Sequence, residues 1–202
     1  MRLKQHILTE SLTFKKGNIP ESTFALIKKD CKPFLKDAKH TNGTFLFRGL
    51  GIYTDFFTKK PRKDRKPLDS NPKWHDALDM ALKNKFGTKI RSEGVFCKIM
   101  TPTGYGIDYI ILPKGPYYCV WNPAISDAYF QEPSIGRDTT VEELMDYANN
   151  AAKGYIKGSL RDVVKSLYPQ SKNYEIALIC KEYHALEVKH YEQFLEWINN
   201  EI

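Results

Sequence analysis

Between Gly94 and Trp121 three short apolar runs, GVFCKI, IDYIIL and YYCVW, follow one another with only Gly- and Pro-containing turns between them. Connections that short return the chain on itself, so neighbouring strands pair antiparallel, whereas parallel pairing needs a crossover of a dozen or more residues. Helical signals bracket these strands without alternating with them. Phe24, Ile27, Cys31, Phe34 and Leu35 recur at helical spacing and predict a helix over residues 22–39, with Pro33 ending or kinking it. Asn42-Gly43 is a turn signal, and residues 44–49 then read as a strand.

Asn71-Pro72 has the form of an N-cap followed by proline at the first helical position. Trp74, Leu78, Ala81, Leu82 and Phe86 supply the apolar stripe of that helix, and Gly87 ends it. Capping-box spacing appears at Thr140 with Glu143 and at Ser159 with Asp162. An apolar strand begins near Tyr174 with IALI, and residues 190–199 form an amphipathic helix with Phe194, Leu195 and Ile198 inward. This order predicts the α+β class, a mostly antiparallel sheet core with flanking helices rather than regular βαβ winding. One domain over residues 13–202 is expected, preceded by an arm over residues 1–12.

A chain of 202 residues with 42% hydrophobic and 13% aromatic residues carries enough apolar side chain for one packed core. Its apolar runs are too short to span a bilayer, and the charged first dozen residues lack the apolar stretch of a secretion signal. Cys31, Cys97, Cys119 and Cys180 stand apart, with no C-x-x-C and no histidine at ligand spacing. Buried free thiols in a reducing compartment are therefore expected, without a structural zinc or a disulfide framework. No P-loop, G-x-G-x-x-G, H-E-x-x-H or G-x-S-x-G occurs, which leaves kinases, Rossmann dehydrogenases, zincins and elbow-type hydrolases without support.

The net charge of +7 is concentrated. KKPRKDRK, residues 59–66, holds six basic residues and one acid. Lys59, Lys60, Arg62, Lys63 and Arg65 are either a solvated loop or a clamp for phosphates, in nucleic acid or in a dinucleotide. Arg48 lies in FLFRGL, and a guanidinium among apolar residues requires an internal acid or an arriving anion. Gly49 beside it permits close approach of a ligand to the backbone. Ser92 either caps a turn or points into a cleft before the strand GVFCKI. Glu175, opening the strand in NYEIALI, is either a solvated strand-end acid or a group that stabilises a developing cation. His75, beside Asp76 at a helix start, reads as a surface or partly buried residue rather than a base.

Taken in order, LFRGL, RSEGVFC and NYEIALICKEYHALEV resemble the mono-ADP-ribosyltransferases of the arginine–serine–glutamate type. In that family an early strand carries the arginine, a serine lies at a second strand, and a glutamate opens a late strand followed by a turn and another strand. Only Ser92 stands for the family's usual Ser-Thr-Ser, and Asn173 occupies the place where arginine-modifying members carry a second acid. The resemblance implies an ADP-ribosyltransferase-like fold and NAD-dependent ADP-ribosyl transfer to a host macromolecule, with NAD as co-substrate and no metal. By the same implication Arg48 holds the NAD phosphates, Ser92 orients the nicotinamide ribose, Phe96 or Tyr105 stacks on nicotinamide, and Glu175 bonds the ribose 2′-hydroxyl.

The block from Arg62 to Trp121, with D-R-x-P, a helix carrying His75, Phe86-Gly87, Arg91-Ser92, Tyr105-Gly106 and Trp121-Asn122-Pro123, is also similar to uncharacterised proteins of tailed bacteriophages. Leu8-Thr9-Glu10 is similar to the sites at which phage head proteases trim packaged proteins. These features imply a phage protein in the host cytoplasm or packaged with head components. The alternative expectation is a non-catalytic virion protein that uses the 59–66 loop against nucleic acid or a protein partner.

Overall fold

The computed structural model describes residues 11–12, 18–66, 70–99, 104–136, 138–167 and 174–202. Two antiparallel sheets and flanking helices make an α+β fold. The first sheet contains β1 (Ser11–Leu12), β2 (Phe47–Leu50), β3 (Phe56–Lys59), β5 (Ile107–Pro113) and β9 (Tyr183–Glu187), in the order β1-β3-β9-β5-β2. The second contains β4 (Val95–Cys97), β6 (Tyr118–Trp121), β7 (Ile156–Gly158) and β8 (Ile176–Ile179), in the order β4-β8-β6-β7. All pairings are antiparallel.

Among the described residues, one isolated bridge joins the two sheets. Phe47 N–H donates to the Lys98 carbonyl at 2.7 Å and Lys98 N–H donates to the Phe47 carbonyl at 2.9 Å. The start of β2 therefore lies against the end of β4, and whatever follows Phe47 meets whatever flanks Lys98.

Among the described residues, seven α-helices flank the sheets: α1 (Glu21–Asp30), α2 (Lys32–His40), α3 (Pro72–Phe86), α4 (Ile90–Glu93), α5 (Val141–Lys153), α6 (Leu160–Leu167) and α7 (Tyr191–Glu201). The helix expected over 22–39 is two helices broken at Cys31, because Pro33 in the first turn of α2 has no N–H to continue the ladder. Asn71 caps α3 by accepting Lys73 N–H at 2.9 Å, and Gly87 ends it at φ 79°, which glycine adopts without strain. Both capping boxes form: Thr140 with Glu143 at α5, and Ser159 with Asp162 at α6. Gly106, at φ 56°, packs so tightly under the Leu50 carbonyl that a Cβ there would collide with it.

Alternation along β4 and β8 sends side chains to two cores. Val95, Cys97, Ile176 and Leu178 enter the larger one with Phe34, Leu35, Phe45, Phe57, Tyr109 and Phe194. Ala177, Val120 and the half-buried Phe96 face the smaller one, closed by Trp74, Leu78 and Leu82 of α3 and Leu144 and Ala148 of α5. Burying one such leucine contributes roughly 1.5–3 kcal/mol relative to leaving it exposed.

Cys31, Cys97 and Cys119 are buried free thiols and Cys180 is half-buried; burial pushes Cys97 up to about 12, so it stays protonated. Ser11–Leu12 of the expected arm pair with Phe56–Phe57 at the sheet edge, while residues 1–10, with Leu8-Thr9-Glu10, lie outside the described residues. Among the described residues, no helix is long and apolar enough to cross a membrane.

Candidate functional site

Phe96 is the hub of the candidate site. It sits on β4 opposite Ala177 of β8, so residue 175 lies just beyond the pairing of Cys97 with Ile176. That is the end of β4 where Lys98 bridges to Phe47. Arg48, the next residue along β2, is half-buried and donates from Nη1 to the Phe96 carbonyl at 3.3 Å. Among the described residues no ion pair joins Arg48 to a carboxylate. Among the described residues, then, Arg48 is held by a backbone carbonyl and not by an internal acid.

Two further guanidiniums lie over the Phe96 ring. Arg65 is 4.1 Å from the ring centroid and Arg91 is 4.9 Å from it. Such stacking on an aromatic face is favourable by about 0.5–2 kcal/mol. The Arg65 backbone N–H donates to the Ser92 carbonyl at 3.2 Å, which ties the basic loop to α4. Burial first, and then the proximity of Arg48, Arg91 and Arg62, push Arg65 down to about 10 against the pull of Glu175. It remains a cation at neutral pH, but one crowded by its own sign, and an arriving anion would relieve that crowding.

Glu175 precedes β8 and donates its backbone N–H to the Ser126 carbonyl at 2.7 Å. Its side chain, 21% exposed, pairs through Oε1 with Arg91 Nη1 at 2.6 Å, and the Arg91 side chain is only 7% exposed. Burial holds the carboxyl above its ordinary value; Arg91 and Arg65 pull it down and Asp127 pushes it up.

Behind this layer, Ser92 Oγ donates to Asp79 Oδ2 at 2.5 Å and lies 3.4 Å from His75 Nε2. Asp79 Oδ1 accepts Arg91 N–H at 2.7 Å. Because the serine proton goes to the carboxylate, His75 must carry its proton on Nε2 to bond Ser92. Nδ1 is then a bare acceptor, and it is buried without a partner among the described residues. Burial, and then Arg91, lower the His75 pKa, so the ring is neutral at pH 7. His75 is buried at 3% exposure, deeper than the surface or partly buried position that its neighbourhood in the sequence suggested.

The remaining expected positions are distributed around this group. Gly49 pairs with Asp108 inside β2, and Tyr105 is 73% exposed on the turn before β5. Lys59 ends β3 half-buried, its pKa lowered by burial and by Arg48 and Arg62. Lys60, Arg62 and Lys63 are exposed, Arg62 pairing with Asp64 at 3.5 Å. The basic loop is thus divided: Arg65 folds into the site, Lys59 is half-buried at the end of β3, and Lys60, Arg62, Lys63 and Lys66 face solvent.

Sequence reasoning gave Asp79 and Arg91 no part in the site. His75 and Asp79 are four apart on one helix and so share a face, which is the signal that marks them as a pair. A groove of about 860 Å³ lined by Asp37, His40, Arg161 and Lys165, between α2 and α6, contains none of these residues. Among the described residues, no cluster of three or more His, Cys, Asp or Glu side chains is arranged to hold a metal. No family model matches the chain, and no curated protein or solved structure matches it either.

Proposed function

We propose that the chain is an NAD-dependent ADP-ribosyltransferase-like enzyme whose site is the junction of β2, β4 and β8. One observation supports this reading above the others: Arg48 and Glu175, far apart in sequence, both reach Phe96, Arg48 through its carbonyl and Glu175 through Arg91 over its ring. The donor set suits a dinucleotide. Arg48, Arg65 and Arg91 gather at Phe96 with Glu175 paired to Arg91 and Asp127 near it, which leaves cationic charge for a diphosphate, while the Ser92 oxygen behind them and the Glu175 carboxylate are acceptors for a ribose.

In this reading Arg48, with Arg65, holds the diphosphate, and Gly49 lets it approach the strand. Ser92 orients the nicotinamide ribose. Glu175 accepts the ribose 2′-hydroxyl and places negative charge beside the anomeric carbon, where positive charge develops. Nicotinamide departs with the electrons of the glycosidic bond, and an acceptor nucleophile forms the new bond at that carbon. One well-aimed group of this kind lowers the barrier by about 3 kcal/mol. Phe96 is engaged by guanidiniums in the free protein, so stacking on nicotinamide requires Arg65 to turn toward the diphosphate; Tyr105 is the exposed aromatic of the pair.

The test is nicotinamide release and label transfer from labelled NAD in bacterial lysate. Wild type should transfer label and Glu175→Gln should lose it by roughly 10²–10³-fold. No release by wild-type protein would refute the enzyme reading.

The exposure of Lys60, Arg62 and Lys63 favours a second reading, a non-catalytic phage virion or host-cell protein that binds nucleic acid. It predicts association with DNA or RNA that weakens steeply with salt and is lost on neutralising those three residues. Salt-independent association, or none, would remove it.

A further inference from the structure

The Asp79 carboxylate, 3% exposed, commits both oxygens to one segment, accepting Arg91 N–H at 2.7 Å and Ser92 O–H at 2.5 Å. That segment is α4, a single turn of four residues, too short to hold its shape by its own ladder. With its backbone so fixed, Arg91 extends over the Phe96 ring to Glu175 Oε1 at 2.6 Å. A buried ion pair of this geometry is costly to break from one side, because the other charge is left uncompensated.

We infer that Arg91 and Asp79 are positioning residues for Glu175: Asp79 fixes the α4 backbone, and Arg91, held by it, pairs with the Glu175 carboxylate, opposes its protonation and keeps it at one place. This deepens the proposed function and rests on it only for the consequence in turnover; the positioning itself has its own readout. Four charged or titratable groups face Glu175: Arg91 from α4, Arg65 from the loop after β3, Asp127 from the loop after β6, and Tyr155 between α5 and β7. Burial and Asp127 favour the neutral acid, and Arg91 is the main group opposing them. The bond from Arg91 Nη1 to Oε1 restrains the carboxylate, whereas an unpaired strand-end glutamate is free to rotate.

The experiment is the titration of Glu175 in protein carrying ¹³C-labelled glutamate side-chain carboxyls, the resonance being assigned with Glu175→Gln. In Arg91→Gln the midpoint should rise by about one pH unit or more. Arg91→Lys, which keeps the cation, should recover most of that rise. Asp79→Asn, whose single carbonyl satisfies one of the two donors, should raise it by less than Arg91→Gln. If Arg91→Gln does not fold, the other two variants decide the matter, and the double variant Arg91→Gln/Glu175→Gln should fold because no charge is left alone. A Glu175 midpoint unmoved by changes at both Arg91 and Asp79 overturns the inference. In NAD cleavage, both changes should lower kcat on the order of 10²-fold with KM nearly unchanged and move the acid limb of the pH profile upward. A wild-type protein inert toward NAD would defeat the proposed function, while the titration would still decide the positioning.

Discussion

Tyr117 shows how single residues hold this fold at points remote from the candidate site. Its hydroxyl donates to Asp37 Oδ2 at 2.5 Å and accepts the Leu160 N–H at 3.1 Å, so one oxygen joins α2 to the first residue of α6. Burial and the adjacent Asp37 carboxylate push the hydroxyl well above its ordinary value and keep it a donor. Tyr117→Phe leaves the Leu160 N–H and the carboxylate without that partner, and should cost about 1–3 kcal/mol. Urea unfolding measures it, and a loss below a few tenths of a kcal/mol would show that water replaces the hydroxyl freely. Arg48 and Glu175 were legible as residues for a simple reason: a charge written into an apolar strand must be compensated. Arg91 was not. It stands in a short polar stretch, Lys89 to Glu93, where nothing in the local pattern says that its side chain turns inward to an acid 84 residues away.

At the scale of elements, boundaries were legible where backbone chemistry dictates them. Asn71-Pro72 and Gly87 delimit α3 because one supplies a cap and the other a left-handed conformation, and both are local properties. Thr140→Ala removes the side-chain acceptor for Glu143 N–H at 3.1 Å and should cost about 1 kcal/mol, with α5 fraying first in amide exchange. Protection of the first turn of α5 equal to wild type would contradict that. Strand β3 was missed because Phe56–Lys59 runs directly into the basic loop, and its charged end masks a strand that only pairing with Tyr183–Leu186 reveals. The basic loop itself looked uniform in sequence. The inward turn of Arg65, against the exposed Lys60, Arg62 and Lys63, depends on the contact with Ser92 and Phe96, which no local pattern encodes.

Across the whole molecule, the class was legible from the order of elements, while the joining of two sheets by one bridge at Phe47 and Lys98 was not. Acid sensitivity is also a whole-molecule property. His75, His184 and His190 are buried, and burial lowers the pKa of each from 6.5. The unfolded chain gains protons on these rings as pH falls through 6.5, and the folded chain resists them, so the stability present above that pH is lost progressively below it. His184 fits this state, with Thr58 Oγ1 at 2.7 Å from Nδ1 and Asp30 Oδ2 at 3.1 Å from Nε2. The urea midpoint should therefore fall between about pH 7.5 and about pH 5. A flat or rising midpoint would mean that the rings are charged in the folded protein.

The central claim is that Arg48 and Glu175 serve one dinucleotide. Isothermal calorimetry of NAD binding to wild type, Arg48→Ala and Glu175→Gln addresses it most directly. The account predicts that wild type and Glu175→Gln bind NAD with similar affinity, and that Arg48→Ala binds at least about tenfold more weakly, a loss of about 1.4 kcal/mol. No binding by wild type at millimolar NAD, or an Arg48→Ala protein that binds as wild type does, would contradict it.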